Sequence, residues 1–157
     1  MNIGVIFAGG VGKRMNSRVK PKQFIDVYGK PIIIHTLELF ENHPGIDAIA
    51  VACLEDWIPY LQELLEKFNI KKVKKVVPGG ASGQESIYNG LRAAEEIAAG
   101  EKSIVLIHDG VRPLINEKTI TDNIESVKKY GSSITCVKVK ETVLVVGEDN
   151  SIEDVPN

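Results

Sequence analysis

Apolar positions along this chain follow two periods, and the two alternate. Continuous runs rich in β-branched residues occur at Asn2–Ala8, Asp47–Ala52, Val73–Val77, Ser103–His108 and Ser133–Val139, with a further run at Thr142–Val146. Runs of this length predict strands, most of them buried on both faces. Between the first two, Pro31 can open a helix at its first position, which puts Ile33, Leu37 and Phe40 on one apolar face and turns Glu38 to water. Trp57, Leu61, Leu64, Leu65 and Phe68 predict a second helix, Ile87, Leu91, Ala94 and Ala98 a third, and Ile120, Ile124 and Val127 a fourth. These stripes are core positions. The alternation predicts an α/β fold: a mainly parallel sheet joined by right-handed crossovers, with helices on both faces. Near the end, Thr142–Val146 and Ser151–Val155 flank Gly147-Glu148-Asp149-Asn150 and predict a hairpin.

Composition narrows the class of protein. A chain of 157 residues suits one domain with a single core, here residues 1–157 with a hairpin arm over 142–157. The net charge of −2 offers no basic surface, so nucleic acid is not expected as a partner. No apolar run approaches the roughly 18 residues of a membrane span, and the first strand follows Met1 without a signal-peptide pattern. Cys53 and Cys136 both sit in apolar surroundings and read as buried thiols rather than a disulfide or metal pair. A cytoplasmic location is the expectation.

Ligands in open parallel sheets sit at the carboxyl ends of the strands, so chemically loaded segments should follow strands. Three do. The first is Ala8-Gly9-Gly10-Val11-Gly12-Lys13-Arg14-Met15, running on to Pro21-Lys22-Gln23-Phe24. Its glycines let backbone N–H groups approach an anion, while Lys13, Arg14 and Lys22 supply positive charge for a polyphosphate. A Walker loop is excluded because Phe7 and Arg14 occupy the positions that need a glycine and a hydroxyl. A dinucleotide fingerprint starting at Gly10 would need glycine where Met15 stands.

The second segment is Pro78-Gly79-Gly80-Ala81-Ser82-Gly83-Gln84-Glu85-Ser86, which opens the third helix. Gly79 and Gly80 permit close backbone approach, and the Ser86 hydroxyl suits a nucleobase edge; ordinary helix capping would use the same residues. The third is Ile107-His108-Asp109-Gly110-Val111-Arg112-Pro113. A carboxylate ending a strand beside a triphosphate is a natural Mg²⁺ ligand, and Arg112 could grip a second phosphate; a surface Asp109–Arg112 turn pair is the plainer alternative. His108 reads as support for this turn, and His35 and His43 as helix and turn residues.

Gly-Gly-x-Gly-x-Arg followed by Pro-Lys-Gln-Phe resembles the signature of nucleotidyltransferases that join a nucleoside triphosphate to a phosphorylated sugar or polyol. With Gly29-Lys30-Pro31, His35-Thr36-Leu37, Gly79-Gly80, Ser86-Ile87, Gly90-Leu91 and His108–Pro113 in the same order, the chain resembles the cytidylyltransferases that make CDP-methylerythritol or CDP-ribitol. The resemblance implies a Rossmann-like fold of the nucleotide-diphospho-sugar transferase type, C-terminally incomplete here because the family continues with a segment that completes the sheet and dimerises. It implies that Arg14 and Lys22 are catalytic and hold the triphosphate. Ala8, Gly9, Gly10, Gly12, Lys13, Gly79, Gly80, Ser86 and Gly110 would bind nucleotide, with Ser86 on the cytosine. Asp109 would hold Mg²⁺, and Arg112 and Thr142 would meet the polyol phosphate. Pro21–Phe24, Ile32–Leu37 and Trp57 look more like the ribitol 5-phosphate enzymes than the methylerythritol 4-phosphate ones. Gly83 departs from the arginine common in that loop.

The implied reaction transfers CMP from CTP to a polyol phosphate and releases pyrophosphate. A phosphate monoester is largely dianionic at neutral pH, so its oxygen can attack without a general base, and the site needs cations. Two other classes share the first loop: a uridylyl- or guanylyltransferase acting on a sugar phosphate, and a non-catalytic module that binds a nucleotide. Expected partners are CTP and a polyol phosphate, with a homodimer in the full-length protein.

Overall fold

The computed structural model of the chain describes residues 1–10 and 20–156. Its centre is a four-stranded sheet of β1 (Asn2–Ala8), β4 (Ala48–Cys53), β5 (Val73–Pro78) and β6 (Ile104–Asp109), ordered β5-β4-β1-β6. All three pairings are parallel, with Ile3 opposite Ala48 and Val105, and Ala52 opposite Val77. The continuous apolar runs of β1 and β4 belong to the two central strands. Ile3, Val5, Ile6 and all six residues of β4 are buried, as strands covered on both faces must be.

Side chains alternate between two cores. Ile3, Val5, Ala48 and Ala50 meet Ala93, Ala94 and Ala98 of α3 (Gly83–Ala98) on one face. Small residues let this helix come close: a Cβ on Gly90 would stand 2.6 Å from Val5 Cγ1. Ile6, Ile49 and Val51 point the other way, onto Ile33, Leu37 and Phe40 of α1 (Ile32–Asn42), Leu61 and Leu64 of α2 (Ile58–Lys67), and Ile120 and Ile124 of α4 (Glu117–Tyr130). Burying each such side chain contributes about 1.5–3 kcal/mol, so helices of modest length are held chiefly by this face. Two short ribbons complete the architecture, β2 (Asp26–Val27) with β3 (Lys30–Pro31), and β7 (Val145–Val146) with β8 (Ile152–Asp154). Among the described residues no helix is long and apolar enough to cross a membrane.

Several expectations need correction. Ser133–Val139 is not a strand: it carries no ladder, with Ile134 and Val137 exposed, because a strand requires a ladder partner and none reaches it among the described residues. The hairpin exists but is shorter than Thr142–Val146 and Ser151–Val155. Pro31 is the N-cap of α1 rather than its first residue, and Trp57 lies in a 3-10 turn ahead of α2. In α3 the buried stripe is Ser86, Gly90, Ala93, Ala94 and Ala98, so Leu91 faces outward. Close packing onto β1 and β4 selects the small residues over the large one. Cys53 is buried as expected, whereas Cys136 is exposed in the unpaired segment.

Candidate active site

The loops after β1, β5 and β6 meet at the carboxyl edge of the sheet. After Ala8, Gly9 and Gly10 leave β1; Gly12, Lys13 and Arg14 lie outside the described residues. The chain returns through a 3-10 turn, Lys22–Phe24, closed by Phe24 N–H donating to Pro21 O at 2.9 Å. Phe24 anchors the turn, fully buried and stacked on Trp57 with ring centroids 5.0 Å apart. Gln23 ties the turn to the strand, its Nε2 donating to Ala8 O at 2.7 Å. Its Oε1 is buried without a partner among the described residues. Lys22, directly before these two anchors, forms no hydrogen bond or ion pair among the described residues.

The second loop packs directly on the first. Gly79 N–H donates to Cys53 O at 2.6 Å, which brings the loop against Gly9. A Cβ on Gly79 would lie 3.0 Å from Gly9 Cα, and one on Gly9 only 2.5 Å from Ser86 Oγ, so both positions require glycine for the approach. Ser82 caps α3, accepting from Glu85 N–H, while the Glu85 carboxylate reaches back past the cap to accept from Ala81 N–H at 2.8 Å. Ser86 is 1% exposed; its hydroxyl donates to Ser82 O at 2.9 Å and accepts from Gly80 N–H at 3.0 Å. The hydroxyl proton is therefore committed within the loop, and toward a ligand Ser86 offers only its remaining lone pair.

The third loop is bonded both to β1 and within itself. Gly110 N–H donates to Phe7 O at 3.0 Å, Val111 N–H to Asp109 Oδ1 at 3.1 Å, and Arg112 N–H to Asp109 O at 3.1 Å. His108 Nε2 lies 3.0 Å from Arg112 O, in the supporting role expected for it. Thr36 of α1, fully buried, donates its hydroxyl to Gly110 O at 3.0 Å. Arg112 Nε sits 3.6 Å from Asp109 Oδ2, so the turn pair is present, with Arg112 76% exposed and Asp109 23%.

A cleft of about 100 Å³ forms where the loops converge, lined among others by Gly9, Gly10, Lys22, Gly83, Ser86 and Asp109. Larger cavities lie elsewhere among the described residues. One of about 660 Å³ between β6 and α4 reaches Asp109 and Arg112 from the other side, and one of about 670 Å³ lies beside Tyr28, His35 and Leu114. The small cleft is the candidate site because, among the described residues, it is where all three loops and Lys22 meet. Ala8 lines it too, but Gly79, Gly80, Gly110, Arg112 and Thr142 do not. Gly110 is buried beneath its loop, and Thr142 is exposed on the segment leading to β7.

The donor set decides what the cleft can bind. Among the described residues no group of three or more His, Cys, Asp or Glu gathers, which disfavours a closed protein cage for a soft metal. A single strand-end carboxylate with lone pairs to spare fits Mg²⁺, which keeps its waters and shares phosphate oxygens. Burial pushes the Cys53 thiol, at the end of β4, up to about 12 against the lowering effect of a hydrogen bond to the Leu54 backbone, so it stays protonated at neutral pH. Sequence reasoning gave no role to Gln23 or Thr36. Thr36 carried a signal, being a polar residue beside the apolar stripe of Ile33, Leu37 and Phe40; Gln23 carried none.

A family model described as IspD, 2-C-methyl-D-erythritol 4-phosphate cytidylyltransferase, matches residues 3–157. The chain belongs to the IspD family. Within it, the chain is 57% identical over 155 residues to a ribitol-5-phosphate cytidylyltransferase of Streptococcus agalactiae serotype Ia, covering 99% of the chain and 64% of that protein. It is 41% identical over 156 residues to a 2-C-methyl-D-erythritol 4-phosphate cytidylyltransferase of Clostridium botulinum, covering 99% of the chain and 66% of the relative. The IspD-family chain thus spans just under two thirds of the length of these relatives. Its fold is similar to a crystal structure of 4-diphosphocytidyl-2C-methyl-D-erythritol synthase from Anaerococcus prevotii, with a TM-score of 0.82, 28% identity, and coverage of 100% of this chain and 63% of that one. The expected α/β nucleotidyltransferase fold is borne out.

Proposed function

We infer that the full-length protein transfers CMP from CTP to ribitol 5-phosphate and releases pyrophosphate. The observation that carries this is the convergence of Lys22 and Asp109, from separate stretches of chain, on one cleft floored by Gly9 and Gly10. The polyol follows from the 57% identity to ribitol-5-phosphate cytidylyltransferases. 2-C-methyl-D-erythritol 4-phosphate is the second reading, favoured by the family model's description and the 41% relative.

The cleft's own groups account for the chemistry. A phosphate oxygen of the polyol phosphate bonds to the α-phosphorus of CTP while the bond to the bridging oxygen breaks and pyrophosphate departs. The dianionic monoester needs no base, so the obstacle is crowded negative charge. The Lys22 ammonium, half-buried and without an ion pair among the described residues, is suited to the α-phosphoryl group as charge moves toward pyrophosphate, and Arg14 is assigned to the triphosphate as well. Backbone N–H groups at Gly9, Gly10, Gly12 and Lys13 are assigned to the phosphates. Mg²⁺, held by Asp109 and phosphate oxygens, would neutralise triphosphate charge. Gly79, Gly80 and Ser86 are assigned to the base side, Arg112 and Thr142 to the polyol phosphate.

The reading extends to a single nucleotidyltransferase domain over these residues and to a homodimer in the cytoplasm. Exposed apolar side chains on the β7–β8 hairpin, Val145, Val146 and Ile152 among them, support association. Full-length protein incubated with CTP and Mg²⁺ plus either polyol phosphate, with pyrophosphate as the readout, tests the function. Faster release with ribitol 5-phosphate supports the reading, faster release with methylerythritol 4-phosphate selects the second, and none with either refutes both.

A further inference from the structure

Four polar side chains among the described residues are buried: Gln23, Thr36, His43 and Ser86. Three of them each bond the backbone of a different cleft loop. Gln23 bonds Ala8 O, Ser86 bonds Gly80 N–H and Ser82 O, and Thr36 bonds Gly110 O. The last contact joins α1 to a loop 74 positions further along the chain. It also acts on a particular peptide unit. Gly110 C=O and Val111 N–H belong to one planar peptide group, so holding the carbonyl fixes the direction of the N–H. That same N–H donates to Asp109 Oδ1.

We propose that Thr36 is a positioning residue for the metal-binding carboxylate: its hydroxyl locks the Gly110–Val111 peptide plane, and that plane aims Asp109 into the cleft. The inference rests on the reading of Asp109 as a metal ligand. Without the hydroxyl, Gly110 O is left in a buried position with no other side-chain donor among the described residues, and the peptide is free to turn toward another partner. Val111 N–H then leaves Oδ1, and the carboxylate is drawn toward Arg112, the neighbouring cation at 3.6 Å. Thr36 is fully buried and does not line the cleft, so its effect should pass through Asp109 alone.

Thr36→Val keeps the shape and removes the donor; Thr36→Ser keeps the donor. In the full-length protein, amide hydrogen exchange at Val111 should speed up at least about tenfold in Thr36→Val and return close to wild type in Thr36→Ser. Mn²⁺ binding in the presence of CTP, read from the EPR signal of free Mn²⁺, should weaken about tenfold in the valine variant and recover in the serine variant. kcat should fall with it and be partly restored by raised metal concentration, while KM for the polyol phosphate stays put. If Thr36→Val does not fold, Thr36→Cys, close in size with a weak donor, is read by the same criteria and should fall between serine and valine. Unchanged exchange and Mn²⁺ affinity in a folded variant would overturn the inference and leave the functional reading standing. Wild-type protein that binds no Mn²⁺ with CTP would overturn both.

Discussion

Replacing Gly9 by alanine tests the contact on which the cleft is built. The new Cβ would sit 2.5 Å from Ser86 Oγ and 3.3 Å from Gly79 Cα, so something must move. If the loops part, the strain of overpacking costs about 1–3 kcal/mol. If Ser86 turns away instead, it gives up its bonds to Ser82 O and Gly80 N–H, at about 1 kcal/mol each. Either route predicts that Gly9→Ala destabilises by about 2–3 kcal/mol, which lowers the urea midpoint by about 1–1.5 M. The decisive measurement is a double-mutant cycle with Ser86→Ala. That change alone removes the two hydrogen bonds and costs about 1–2 kcal/mol, but it also removes the oxygen that Gly9→Ala strikes. Gly9→Ala added to Ser86→Ala should then cost under about 1 kcal/mol, a coupling of about 2 kcal/mol. Strict additivity in urea unfolding would refute the claim that these loops meet through this pair.

Lys22→Ala should lower turnover by about 10²–10³-fold while CTP affinity changes less than about threefold, measured by pyrophosphate release and calorimetry; equal losses in both would reduce Lys22 to a binding residue. Gly83 has open space where a Cβ would stand and lines the cleft, so Gly83→Arg should fold normally and tighten CTP binding about three- to tenfold by calorimetry. An unchanged affinity would show that this position does not face the nucleotide. Iodoacetamide at pH 8 should label exposed Cys136 and spare Cys53, whose burial raises its thiol from an ordinary 9.0 to about 12. Because the unfolded thiol ionises first, Cys53 stabilises the fold fully below pH 9 and progressively less as pH climbs toward 12, which urea unfolding across that range would detect.

Local information was legible in the chain because its causes are local. Strand and helix follow from the spacing of apolar residues a few positions apart, and β1 emerged with the predicted ends, Asn2 and Ala8. The three loaded loops were recognisable by glycine, charge and their place after strands, and the same blocks carried the family. What decides the site is not local. The order β5-β4-β1-β6 brings Gly9 onto Gly79, Lys22 to Asp109 and Thr36 onto Gly110, pairs separated by long stretches of chain. Gln23 drew no reading of its own from the sequence, and only packing shows it buried with a bond to Ala8 O. The Ser133–Val139 segment makes the converse point: strand-like composition does not suffice where no neighbouring backbone supplies the other half of each hydrogen bond. Residue chemistry and periodicity were thus set by sequence, whereas convergence, burial of the polar tethers and the aim of Asp109 depend on how strands order themselves in space, which no short window of sequence encodes.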